Sequence, residues 1–159
     1  MKVTILSVGK IKEKFYTEAV GEYSKRLSRY CRLEIIQVAD EKTTENCSEA
    51  EADIVKQKEA KRLLAKVPDD AYVITLEING KQIDSVELAE KINKLGISGI
   101  SHIVFIIGGS LGLHGLVSER ADYSLSFSKM TFPHQLMRVI LLEQLYRSYR
   151  IINNQPYHK

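Results

Sequence analysis

Two hydrophobic periods alternate along the chain. Val3–Val8 is a short apolar run closed by Gly9 and reads as a buried strand. Ile11–Tyr30 has helical spacing, with Phe15, Ala19, Tyr23 and Leu27 on one stripe and lysines and arginines elsewhere. Leu33–Val38 is a second strand, where Ile35, Ile36 and Val38 supply β-branched bulk. Asp40–Ser48 is a polar loop. Ser48 opens a second helix with Glu51 three residues on, a capping-box spacing, and the helix ends near Val67, before Pro68-Asp69-Asp70. Tyr72–Ile78 is a third strand, turned by Asn79-Gly80. Asp84 or Ser85 caps a third helix that runs through Leu95 and is stopped by Gly96. His102–Ile107 is a strongly apolar strand, Leu116–Arg120 a short helix and Tyr123–Phe127 a fifth strand. Pro133 suits the first turn of a last helix, Pro133–Ile152.

Five strands alternating with five helices predict an α/β fold with a mostly parallel sheet and helices on both faces. No repeat, linker or low-complexity segment interrupts the order, so one domain over residues 1–159 is expected. The last helix departs from the usual one-sided pattern. Leu136, Met137, Val139, Ile140, Leu141, Leu142, Leu145, Tyr146 and Tyr149 cover most of its circumference. A helix so apolar is covered on more than one side. One side suits the sheet, and another suits a second copy of the chain.

Composition changes this picture little. The chain is 44% hydrophobic and 27% charged, ordinary proportions for a globular protein. No apolar run is long enough for a bilayer, and the amino terminus enters a strand without a signal-peptide pattern. Cys31 and Cys47 have neither metal nor scaffold spacing, so a reducing cytoplasm is the expected setting. The net charge of +3 permits a phosphate-rich partner without requiring one.

Ligands of open α/β sheets sit beyond the carboxyl ends of the strands. Three ends are suited to one: Thr75–Gly80, Gly108–Leu113 and Ser126–Phe132. Gly108-Gly109 fits a backbone that approaches a ligand closely, and equally a tight strand-to-helix turn. A Walker loop and the Gly-x-Gly-x-x-Gly fingerprint are both absent, which counts against a nucleotide site. The four histidines lack partners at metal-ligand spacing, so no metal is expected. No Gly-x-Ser-x-Gly elbow occurs. Glu143 and Arg147 stand four residues apart, as a helix-surface ion pair worth about 0.2–0.5 kcal/mol would. The tail Asn153–Lys159 carries amides, a phenol and an imidazole, unusually dense chemistry for a terminus.

Several of these segments occur together in a known family. Phe105-Ile106-Ile107-Gly108-Gly109-Ser110-Leu111-Gly112-Leu113, Leu125–His134, Arg138-Val139, Glu143-Gln144-Leu145-Tyr146-Arg147 and Asn154-Gln155-Pro156-Tyr157-His158 resemble the SPOUT class of S-adenosylmethionine-dependent methyltransferases. The likeness is strongest to its small bacterial members that methylate N3 of a pseudouridine in large-subunit ribosomal RNA. It implies a homodimer with a trefoil knot late in the sheet, an exception to the usual connection rules. It places the cofactor, S-adenosylmethionine, against Leu76, Gly108, Gly109, Phe127, Ser128, Lys129, Met130, Thr131 and Phe132. It also gives Glu143, Arg147, Tyr157 and His158 to the chemistry. The acceptor nitrogen must lose a proton, and Glu143 or His158 can take it. Arg147 can steady charge on the base's carbonyl oxygens, and Tyr157 can stack on the base.

With no appended RNA-binding domain and little net charge, the assembled ribosome is the expected substrate rather than naked RNA. Lys10, Lys12, Lys14, Lys25, Arg26 and Arg29 are candidates for phosphate contact, or simply a solvated helix face. Two other classes compete: a non-catalytic RNA-binding module and a nucleotide-binding α/β regulator. The polar loop and tail argue against the first, the missing phosphate motifs against the second.

Overall fold

A computed structural model describes residues 1–159. Ten elements follow one another: β1 (Lys2–Val8), α1 (Lys14–Leu27), β2 (Arg32–Val38), α2 (Glu49–Leu64), β3 (Tyr72–Gln82), α3 (Ser85–Ile97), β4 (His102–Ile107), α4 (Gly115–Arg120), β5 (Tyr123–Ser126) and α5 (His134–Ile152). The five strands form one sheet in the order β2-β1-β4-β3-β5, and every pair is parallel. Parallel neighbours need crossovers, so helices cover both faces and the central strands lose their polar alternation. β4 shows the result: Ile103–Ile107 are all buried. Ile103, Phe105 and Ile107 face α1, α3 and α5, whereas Val104 and Ile106 face α2 and α4.

Each connection toward β2 (through α1 and α3) lies on the first face, and each toward β5 (through α2 and α4) on the second. All four crossovers therefore share one hand, as strand twist requires.

Several boundaries differ from the sequence expectation. α1 is shorter than Ile11–Tyr30, and of its predicted stripe only Leu27 is fully buried. Phe15 is 61% exposed, its ring beside Tyr16. The helix packs on a neighbouring phase of the same period, through Val20, Tyr23 and Leu27. Gly96 does not end α3, which continues to Ile97. Gly99, at φ +96°, takes the left-handed position, with Ile100 N–H donating to Leu95 O and Gly99 N–H to Gly96 O. That is the Schellman pattern one turn later than expected. Ser48 accepts the Glu51 N–H, while the full reciprocal capping box forms at Asp84 and Glu87. Pro133 is the N-cap of α5 rather than its first residue, and β5 stops at Ser126, which leaves Phe127 in a loop.

The largest difference concerns Asn79-Gly80, which makes no reversal. β3 runs to Gln82 and meets β5 twice: Leu76 and Lys81 both pair with Leu125. Gly80 allows this crossing. A Cβ there would lie 2.8 Å from the Ser124 carbonyl and the Leu125 carbonyl carbon, so the two backbones touch where any side chain would intrude.

Candidate functional site

A cavity of about 800 Å³ opens where β3, β4 and β5 end. Its walls are Leu76–Asn79, Ile107–Leu113, Leu125–Ser128, Met130–His134 and Met137. Leu76, Gly108, Gly109, Phe127, Ser128, Met130, Thr131 and Phe132 all line it. Lys129 is exposed and does not. Gly108 is needed for close packing: a Cβ would come 2.9 Å from the Gly112 carbonyl carbon and 3.1 Å from Leu113 Cδ2. Gly112 has φ +84° and returns its N–H to Gly109 O, so the glycine run is a tight turn and a cavity-facing backbone at once. Across the cavity Ser126 Oγ donates to Ser128 O, and Ser128 Oγ accepts the Met130 N–H. These short side-chain bonds set the loop's shape. Met130 stands 72% exposed at the rim.

α5 reaches the cavity by its amino-terminal turn, through His134 and Met137. Burial, then the neighbouring Arg138 charge, pulls the His134 imidazole below the usual histidine range. Arg138 is 1% exposed and donates from Nη2 to Val8 O and Gly9 O, which fastens α5 to the end of β1. Lys12 N–H donates to Gln135 Oε1, so the segment before α1 borders this corner.

The sequence includes Glu77 in the candidate segment Thr75–Gly80 but gives it no role of its own. Its carboxylate accepts from Thr75 Oγ1 (2.7 Å), Ser118 Oγ (2.7 Å) and Ser124 Oγ (2.9 Å). Desolvation raises its pKa, but the three hydroxyls outweigh it and hold the group below the ordinary glutamate value. No local pattern marks this residue, because two of its partners come from α4 and β5.

A second cluster forms at the other end of α5. Asn154, at φ +52°, closes the helix: Gln155 N–H donates to Arg150 O and Asn154 N–H to Ile151 O. That Schellman closure turns the tail back along α5. Arg150 pins it by donating to Tyr30 Oη, Gln155 Oε1 and Pro156 O, and Tyr30 donates to Gln155. Glu143, Arg147, Tyr157 and His158 are thereby brought together. Arg147 donates to Glu143 Oε1 from Nε (3.0 Å) and Nη2 (2.6 Å), and Tyr157 Oη donates to the same oxygen at 3.1 Å. Gln144 Nε2 donates to Glu143 Oε2. Burial, then the Glu143 charge, pushes the Tyr157 phenol up to about 12. Arg147 Nη1 lies 3.2 Å from His158 Nδ1. Arginine only donates, so Nδ1 accepts and the neutral ring carries its proton on Nε2. The Glu143–Arg147 pair is therefore one side of a four-residue cluster, beyond a simple helix-surface ion pair.

The cavity and the cluster are separate within one protomer. Glu143, Arg147, Tyr157 and His158 are all missing from the cavity wall, whose last contribution from α5 is Met137. Glu143 follows it by six residues, about 9 Å along the axis and on another face of the helix. Of the basic candidates, Arg26 is bound to Glu22 and lies near the Tyr23 and Tyr146 rings, while Lys10, Lys12 and Lys14 are exposed beside the cavity corner. No group of three His, Cys, Asp or Glu side chains is arranged to hold a metal. No helix is long and apolar enough to cross a membrane.

The family model described as "Predicted SPOUT methyltransferase" matches residues 1–158, and the chain belongs to that family. Within it, the chain is 60% identical over 159 residues to the ribosomal RNA large subunit methyltransferase H of Bifidobacterium adolescentis and 59% identical to that of Clostridium novyi, covering all of each. Among solved structures, a probable methylase family protein from Haemophilus influenzae Rd KW20 shares the fold at TM-score 0.53 and 12% identity, over 99% of this chain and 70% of that one. The chain is thus a member of the SPOUT methyltransferases, a family whose enzymes draw their methyl group from S-adenosylmethionine, and the relatives named above are ribosomal RNA large subunit methyltransferases.

Proposed function

We propose that this protein methylates N3 of a pseudouridine in 23S ribosomal RNA of the assembled ribosome, as a cytoplasmic homodimer in which each cavity is completed by the tail of the other copy. The observation that carries this reading is the gap between cavity and cluster along α5. A methyl donor in the cavity and a base held by Glu143–His158 of the same protomer would not meet. Leu136, Val139 and Ile140 remain only partly covered on α5, an apolar face suited to a second copy.

S-adenosylmethionine, bound in the cavity, supplies an electrophilic methyl on sulfur. Gly108, Gly109 and the Phe127–Phe132 loop would offer it backbone donors and acceptors, with Leu76 as an apolar wall. Lys129 is exposed and lies outside the cavity wall. The double pairing of β3 with Leu125 supports threading of the chain here into the trefoil knot that the family resemblance implies.

For the acceptor, the chain's contribution is orientation and a proton route. His158 Nδ1 is engaged by Arg147, so its Nε2–H is left as a donor. That leaves Glu143 as the proton acceptor, since Oε2 keeps lone-pair capacity beyond Gln144. Arg147 and His158 stabilise the charge that develops on the uracil carbonyls. Tyr157, held by Glu143 and the Tyr146 ring, positions the base.

Ribosomes from a strain lacking the protein, incubated with it and labelled S-adenosylmethionine, should gain one methyl that mass mapping assigns to N3 of a pseudouridine. Protein-free 23S RNA should be a poor substrate. Label at another atom would overturn the target, and equal rates on both substrates would overturn the ribosome requirement.

A further inference from the structure

The cavity carries one formal charge. Glu77 is its only aspartate, glutamate, lysine or arginine, and burial and the Arg138 charge disfavour the charged form of the remaining titratable wall residue, His134. The partners of Glu77 are hydroxyls, with no cation among them. Thr75 Oγ1 and Ser124 Oγ lie 3.1 Å apart, and each has a single proton. Each can give its proton to Glu77 Oε2, an arrangement that suits an ionised carboxylate. An arginine partner would cancel that charge, whereas neutral donors stabilise it and leave its field in the cavity.

Methyl transfer changes the charge of the cofactor. The S–CH₃ bond breaks, its electron pair stays on sulfur, the acceptor nitrogen takes the methyl and gives up its proton. A sulfonium cation enters the reaction and a neutral thioether leaves it. We infer that Glu77 is the residue that makes the cavity prefer the cationic methyl donor over its demethylated product. The inference rests on the reading that the cavity takes S-adenosylmethionine. The carboxylate attracts the sulfonium form through the low-dielectric wall and has no comparable hold on the thioether, so turnover itself weakens binding and releases the product. A purely mechanical role for Glu77, tying β3 to β5 and α4, would act on both ligands alike.

Calorimetric titration of the full-length protein with S-adenosylmethionine, S-adenosylhomocysteine and sinefungin, which carries an amine-bearing carbon in place of the sulfonium, separates these roles. The wild type should bind both cations about tenfold more tightly than the thioether, the scale of one partly screened charge. Glu77→Gln should keep its thioether affinity within about twofold and lose the preference, while Glu77→Asp, which retains the charge, should keep most of it. Equal weakening of all three ligands in Glu77→Gln would overturn the inference in favour of the mechanical role. A wild type that binds all three equally would overturn it with no variant needed, should Glu77→Gln fail to fold. A wild type that binds none would overturn the reading of the cavity, and this inference with it.

Discussion

Gly108→Ala tests whether the end of β4 is shaped for a ligand. The added methyl would sit 2.9 Å from the Gly112 carbonyl carbon, 3.0 Å from its oxygen and 3.1 Å from Leu113 Cδ2. Gly108 is outside the left-handed region, so the cost is steric and comes without backbone strain. β4 is hydrogen-bonded on both sides, by β1 and β3, and cannot move. The Gly109–Leu113 turn must yield instead. Overpacking of this kind costs about 1–3 kcal/mol. For a chain of this length each kcal/mol lowers Tm by roughly 2–4 °C. Because the turn that moves is also the cavity wall, much of the same free energy should appear in cofactor binding, and about 1.4 kcal/mol of it is a tenfold loss of affinity. Gly115→Ala is the control, since a Cβ there meets nothing within 4 Å. Thermal melts and titration with S-adenosylmethionine read both effects. If Gly108→Ala matched the wild type in Tm and Kd, the packing argument for the cavity would be refuted.

Two further outcomes are expected. Deleting residues 156–159 removes Tyr157 and His158 from the cluster but no part of the cavity wall, so Kd for S-adenosylmethionine should change less than about threefold while methyl transfer to ribosomes falls by at least about a thousandfold; normal transfer would rule the tail out of the chemistry. Glu59, 5% exposed, has its carboxyl raised chiefly by burial, offset in part by the Glu41 N–H that it accepts. Its folded pKa lies above the unfolded one, so its stabilising effect is complete at low pH and is lost as pH rises through the folded pKa. Glu59→Gln should therefore match the wild type in Tm near about pH 4 and exceed it near about pH 8; a gain that does not grow with pH would contradict this.

Much of the fold was legible because the relevant physics is local. The aliphatic runs at Val3–Val8 and His102–Ile107, the caps at Ser48 and Asp84, and the dense apolar cover of α5 each report their surroundings within a few residues. Glycines misled where their two uses diverge. Gly96 looked able to end α3, but the left-handed position fell to Gly99, whose successor, Ile100, reaches back to Leu95. Gly80 resembled a turn residue and is instead the point where two backbones touch, a fact about Ser124 and Leu125 that no window around residue 80 contains.

The site divides in the same way. The glycine turn, the Ser126–Phe132 loop and the tail could be read as motifs, and the tail's return along α5 follows from Asn154 taking the left-handed position. The bonding of Glu77 could not be read, because its hydroxyl partners lie two, 41 and 47 residues away. The chain by itself thus determined the alternation of elements, their caps and the groups available for chemistry, since these depend on side-chain period and backbone preference along a few turns. Strand order, the double pairing of β3 with β5 and the distance between cavity and cluster were decided only by tertiary packing, because they depend on which distant backbones can approach within a hydrogen bond of each other.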